Sequence, residues 1–316
     1  MSPRVHTIDT NYTGRADFAA AYLLEDGEEL AFVEANTNAA LPRLLAALEA
    51  RGSSPAQVRY VIVTHIHLDH AGGAGALMAA CPNATLLAHP RAAPHAIDPS
   101  RIIAGARKVY GDEQFDALYG EIQPIDAARV EALDDGASVP FGARELRFIH
   151  TRGHANHHFC VVDEGSSSVF TGDAFGLLYP QLQRGGVLAL PSTTPTDFDP
   201  LAAHEAVDDI VAAGTSSVYP THFGEHRDLA GAAAQLHRQL DRYAQVVEQG
   251  DQSGREGAEL DAFCLAQTRE IIGAELDARG LGGDAAALEL LDTDIEPNAQ
   301  GLAFAVAKRR YKRSRA

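Results

Sequence analysis

The chain has 316 residues, is 46% hydrophobic and carries a formal net charge of −17. That length suits one large domain, or a main domain with an appendage, and the apolar fraction supplies a sizeable core. The acidic balance repels phosphate backbones and argues against nucleic-acid partners, and no stretch approaches the roughly eighteen consecutive apolar residues of a membrane span.

Short apolar runs ending in turn formers read as strands, and helical patterns fall between them. In chain order they are AYLL near Ala21, LAFVEA from Leu30, the helical LPRLLAALEARG, VRYVIV from Val58, the helical AGALMAAC and ATLLA from Ala84. ELRFIH from Glu145, HFCVVD from His158, SVFTGD from Ser168, the helical LAAHEAVDDIVAAG and SSVYPTH from Ser216 come after them. Strands alternating with helices predict an α/β layered core. Beyond Asp228 the character changes. Asp228 to Arg279 reads as two helices, LGGDAAALELLDTDIEPNAQGLAFAVAKRR holds one or two more, and the basic KRRYKRSRA closes the chain as a solvated tail or a contact for an anionic partner.

The start, MSPRVHTIDTNYTG, lacks the apolar stretch of a signal peptide. Cys81, Cys160 and Cys264 are odd in number, far apart and in no CxxC arrangement, as expected of reduced thiols. A soluble, cytoplasmic protein is expected.

The stretch VIVTHIHLDHAGG concentrates the chemistry. An apolar strand runs into His65, His67, Asp69 and His70, then two glycines. Strand alternation puts His65 and His67 on one side, and the following turn presents Asp69 and His70 from another. Polar groups at a buried strand end need compensation, and imidazole with carboxylate suits zinc, iron or manganese. A histidine cluster without metal is the alternative for this motif alone. TRGHANHH adds His154 after a strand, TGDAF adds Asp173 after another, and YPTHFG adds His222 after a third. Histidines and aspartates at the ends of successive strands build a site along one sheet edge. The set is five histidines and two aspartates, enough for two metals sharing one carboxylate.

The series THIHLDHAGG, RGHANHH, TGDAF and PTHFG, in that order over roughly Thr7 to Arg227, resembles the metallo-β-lactamase-fold superfamily. The resemblance implies an α/β (α+β) four-layer αββα sandwich over residues 1–227, with the metals at the edge between two β-sheets. A helical extension over 228–307 and a basic tail over 308–316 would complete the chain. It implies His65, His67 and His154 on the first metal, Asp69, His70 and His222 on the second, and Asp173 bridging. Asp173 stands where β-lactamases of this fold typically carry cysteine, which aligns the chain with the glyoxalase II-like dinuclear hydrolases. VEANT stands where many members have an Asp-containing turn after the second strand.

The resemblance further implies a dinuclear metal-dependent hydrolase of a small ester, thioester or lactone. Two divalent ions, zinc first and iron or manganese as alternatives, would generate a bridging hydroxide as nucleophile. Asp69 would add a catalytic role by orienting that hydroxide and taking up its proton. His158, with His157 beside it, and Tyr179 are candidates for substrate contact, each weighed against ordinary packing. His89 and His95 border the cleft or simply pack in a proline-broken loop, and His6, His150, His204, His226 and His237 read as structural or exposed. A metal-retaining effector acting through the helices or the basic tail, and a di-iron redox protein, are the alternatives. A phosphodiesterase is disfavoured by the acidic charge. A small-molecule substrate is the expected partner, without nucleic acid or membrane, and a homodimer would match the general habit of such enzymes.

Overall fold

The computed structural model describes residues 4–315, which gather into two compact units. The first holds the described residues up to His150, with His157–Gly172 and Ala213–Arg227. The second holds Thr151–Asn156, Asp173–Ala212 and the described residues from Asp228 onward.

The chain begins with β1 (Arg4–Asp9), β2 (Ala20–Asp26), β3 (Glu29–Val33), α1 (Leu41–Glu49) and β4 (Val58–Ile62). Next come the single turn α2 (Leu68–Ala71), α3 (Ala74–Ala80), β5 (Thr85–Ala88), α4 (Ala93–Ile97), α5 (Ser100–Tyr110) and α6 (Asp112–Tyr119). β6 (Val130–Ala132), β7 (Ser138–Phe141), β8 (Arg144–His150), β9 (Phe159–Asp163) and β10 (Ser168–Gly172) succeed them. Last lie α7 (Pro200–Ala212), β11 (Ser217–Pro220), α8 (Leu229–Ser253), α9 (Gly257–Asp277) and α10 (Ala285–Ser314).

All the strands belong to the first unit, in two mixed sheets. One runs β1-β2-β3-β4-β5-β6, antiparallel over its first three strands and parallel from β3 onward. The other runs β11-β10-β9-β8-β7, antiparallel except where β10 meets β11. Strand β2 shows how the sequence sets the layers. Ala21 and Leu23 face helices, joining Leu44, Leu48, Leu77 and Met78. Ala20, Tyr22 and Leu24 face the other sheet, joining Phe148, Phe159 and Phe170. A strand buried on both faces reads as a continuous apolar run, because alternation separates two apolar layers rather than core from water.

The second unit is helical among its described residues. Two helices, α8 and α9, fill the span from Asp228 to Arg279 as the periodicity predicts, and one long helix, α10, comes after them. Helices α7 and α8 meet through His204 and His237, whose Nδ1 atoms lie 2.7 Å apart. Asp241 faces His204 Nε2 at 3.3 Å and Asp208 faces His237 Nε2 at 3.2 Å, so both histidines serve a helix–helix joint. The basic run is not a separate tail: residues 308–314 are the last turns of α10. Arg309, Arg310 and Arg313 ion-pair with Asp251 on α8 at 3.4, 3.5 and 2.7 Å. That carboxylate is only 3% exposed and needs the positive charge, which the sequence distance between the partners conceals. Among the described residues no helix is long and apolar enough to cross a membrane. The three cysteines are buried and form no disulfide with one another, and burial pushes the Cys81 and Cys264 thiols up to about 11.

Arg144 ties β8 to two other strands of the first unit. It reaches Asp163 on β9 at 2.7 and 2.9 Å and Asp26 on β2 at 2.9 Å, with the arginine side chain 9% exposed. Arg144→Met leaves two nearly buried carboxylates facing each other without a cation. We expect a loss of roughly 3–5 kcal/mol in unfolding free energy, read from urea denaturation.

Candidate metal centre

The motif begins where β4 runs out. Glu34, which directly succeeds β3, takes a left-handed conformation at φ 71° and turns its fully buried side chain under the His65–His70 stretch. Its Oε1 accepts hydrogen bonds from Thr64 Oγ1 at 2.5 Å, His70 Nδ1 at 3.0 Å and Thr221 Oγ1 at 3.0 Å. The neighbouring loop completes the cradle. Asn36 Nδ2 donates to the Asp69 carbonyl at 2.8 Å, and the Ala35 N–H donates to the His70 carbonyl at 3.0 Å. Two glycine positions are explained by this closeness. A Cβ on Gly73 would stand 2.7 Å from the Thr37 carbonyl oxygen. On Gly172, at φ 49°, it would stand 2.5 Å from both His158 Nε2 and Thr64 Oγ1.

The hydrogen bonds fix the histidine tautomers. Thr64 commits its proton to Glu34, so its oxygen accepts from His65 Nδ1–H at 3.1 Å. His70 Nδ1–H donates to the Glu34 carboxylate, and His222 Nδ1–H donates to the Phe18 carbonyl at 2.8 Å. Each ring is left with its lone pair on Nε2. Two of those atoms face the same carboxylate: His222 Nε2 lies 3.5 Å and His70 Nε2 3.6 Å from Asp69 Oδ2. The ligand atoms of Asp69, His70 and His222 all lie within 4.8 Å of one another. The His65 ring is 4.0 Å from that of His70 and 4.5 Å from that of His67, centre to centre. Lone pairs converging on a carboxylate oxygen repel unless a cation stands among them, and a donor set of imidazole and carboxylate fits a divalent transition metal. Engagement of the far ring nitrogen by a carbonyl, hydroxyl or carboxylate is the usual orientation of a metal-ligating histidine.

The second unit repeats the pattern with its own two residues. His154 Nδ1–H donates to the Ser192 carbonyl at 3.3 Å, which turns Nε2 toward Asp173 Oδ2 at 3.5 Å. Ser192 Oγ holds that carboxylate at 3.0 Å. His154 stands next to Gly153, whose φ of 126° and close approach to Ala203 leave no space for a side chain. Thus the first unit gathers His65, His67, Asp69, His70 and His222, and the second pairs His154 with Asp173.

Other candidates fall into definite places. His158 is fully buried with its ring 5.0 Å from that of His65, and His157 Nδ1 receives the Ile66 N–H at 3.5 Å. Tyr179 is fully buried, its hydroxyl donating to Asp294 Oδ1 at 3.2 Å. His89 packs 4.1 Å from the His150 ring, and burial lowers its pKa to about 4, so it stays neutral. Sequence reasoning passed over Glu34, Phe18 and Ser192. The VEANT departure marked the place of the first, and no local signal marked the other two.

An α/β fold with two mixed sheets and a histidine–aspartate cluster at the strand ends that could hold metal is the arrangement of the metallo-β-lactamase type. The family profile described as the metallo-beta-lactamase superfamily matches residues 14–222, and the chain belongs to that family. It is 33% identical over 111 residues to the N-acyl homoserine lactonase AttM of Agrobacterium fabrum, a match covering 35% of this chain and 38% of that protein. Against the hydroxyacylglutathione hydrolase of Francisella tularensis subsp. novicida it is 25% identical over 166 residues, covering 52% and 50%. The matched segments thus span half or less of the length of these curated relatives. A metallo-beta-lactamase family protein from Thermus thermophilus, TTHA1429, shares the fold at a TM-score of 0.66 and 18% identity, covering 98% of this chain and 94% of that one.

Glu34→Gln keeps the volume and one acceptor oxygen but removes the negative charge and puts an NH2 donor where Oε2 accepts the Thr64 N–H at 3.5 Å. We expect zinc affinity to fall about 10–100-fold, measured by competition with a chromophoric chelator, while the far-UV spectrum is retained.

Proposed function

We propose that the chain is a metal-dependent hydrolase of a small ester, thioester or lactone. His65, His67 and His154 would hold one divalent ion, Asp69, His70 and His222 a second, and Asp173 would serve both, with zinc as the first expectation. The observation that carries this reading is the orientation of the histidines. His65, His70, His154 and His222 each have Nδ1 occupied by a protein acceptor, which presents Nε2 as a ligand. Such ions, when bound, lower the pKa of water toward 7 and polarise the carbonyl under attack.

The protein's own groups supply orientation and proton handling. Glu34 and the Phe18 carbonyl hold His70 and His222 in place. Ser192 fixes Asp173. Asp69 has one oxygen beside His70 and His222 and a side chain 28% exposed, so its other oxygen is the group that takes the proton of an attacking water. Similarity to an N-acyl homoserine lactonase and to a hydroxyacylglutathione hydrolase supports the substrate range.

The test is hydrolysis by protein loaded separately with zinc, manganese and iron, over thioesters, lactones, phosphodiesters and a β-lactam. Turnover is expected for lactones or thioesters, falling at least about 100-fold in Asp69→Asn. Cleavage confined to phosphodiesters, or none by protein carrying two ions, would overturn the reading.

A further inference from the structure

Helix α10 carries three poor helix formers within five positions of its interior: Pro297, Asn298 and Gly301. A sequence that works against its own helix needs a reason from outside that helix. Two of the three lie against the segment from Pro191 to Thr194. Asn298 is 1% exposed and hydrogen-bonded to it, and a Cβ on the buried Gly301 would run into the Thr193 carbonyl. Glycine thus lets the helix backbone close directly on that segment.

The Asn298 amide then binds the segment as a neighbouring strand would. Its Oδ1 accepts the Thr193 N–H at 2.7 Å, and its Nδ2 donates to the Pro191 carbonyl at 3.4 Å. The Thr193 hydroxyl donates in return to the Asn298 backbone carbonyl at 2.9 Å. One side chain therefore holds both peptides that flank Ser192.

The peptide between Ser192 and Thr193 is planar and trans, so its N–H and C=O point in opposite directions. Asn298 takes the N–H end. At the other end, the Ser192 carbonyl accepts His154 Nδ1–H at 3.3 Å. Fixing one end of the plane aims the other. The hold on the Pro191 carbonyl sets the base from which Ser192 Oγ reaches Asp173 Oδ2 at 3.0 Å. His154 and Asp173 thus take their orientation from one amide on the last helix, and all these residues belong to the second unit.

We propose that Asn298 is a positioning residue of the metal centre, acting through Ser192 to set the His154 ring and the Asp173 carboxylate. The role rests on the hydrolase reading, in which those two residues are ligands. It makes α10 a working part of the site.

A purely structural asparagine would cost stability alone, because its loss leaves a buried N–H and carbonyl unpaired. The experiment therefore compares Asn298→Ala with Leu291→Ala, a fully buried apolar position on the same helix. Long-range proton–nitrogen NMR of the metal-free protein reads the histidine rings, and competition with a chromophoric chelator reads zinc affinity. Asn298→Ala should turn the single Nδ1–H form of His154 into a mixture of tautomers while His70 and His222 stay as in wild type. Its zinc affinity should fall about tenfold. Leu291→Ala should lose stability in urea and move neither readout. Thr193→Val removes only the hydroxyl bond to Asn298 and should weaken zinc binding about threefold, which serves if Asn298→Ala does not fold. Wild-type His154 signals and zinc affinity in folded Asn298→Ala would overturn the assignment. So would equal changes in Leu291→Ala, wild-type affinity in Thr193→Val where Asn298→Ala does not fold, or a wild type that binds no zinc. Neither readout needs turnover. If both move as expected while wild type cleaves no ester, thioester or lactone, the hydrolase reading fails and the Asn298 role stands.

Discussion

One oxygen of Glu34 accepts hydrogen bonds from Thr64, His70 and Thr221, which enter from the ends of two sheets and from the turn α2. A fully buried carboxylate is tolerated only when such donors surround it. The dependence runs both ways. The carboxylate is satisfied by the motif, and through Thr64 and His70 it sets the orientation of two histidines of the cluster, His65 and His70. Thr221 adds the strand that delivers His222, and it lies 187 residues away in sequence from Glu34. The histidine–aspartate cluster is therefore organised from beneath by an acid that is not one of its candidate ligands.

The same logic recurs with different acceptors. His222 uses a backbone carbonyl, His65 uses a threonine hydroxyl and His154 uses the Ser192 carbonyl. Each bond fixes which ring nitrogen carries the proton, and so which atom is available to a cation. Glycine permits the close packing this requires: Gly172 lies against both His158 and Thr64, and a side chain there would displace the two groups that line His65.

The clustered histidines and aspartates were legible in the sequence because each stands next to an apolar strand and the motifs occur in order. The doubly buried strands were legible for a similar reason, since β2, β9 and β10 are apolar on both faces. What escaped was structure whose partners are distant or whose burial is slight. β6 has no buried residue, β1 has one, and β7 carries a proline on a strand paired only with β8. Helix α5 likewise buries no residue fully. Glu34 read as the polar end of LAFVEA, whereas β3 stops at Val33 and the glutamate turns inward under constraints from residues that no local pattern reveals. The basic run after Ala307 read as solvated because its counterpart, Asp251, sits on a different helix.

The central claim is that the histidines are held by Nδ1 and bind metal through Nε2. Long-range proton–nitrogen NMR of the imidazole rings, recorded before and after zinc loading, tests it most directly. The account predicts Nδ1–H tautomers for His65, His70, His154 and His222 in both states, with the Nε2 resonances shifting to metal-ligated values on loading. Nε2–H tautomers, or spectra unchanged by zinc, would contradict it.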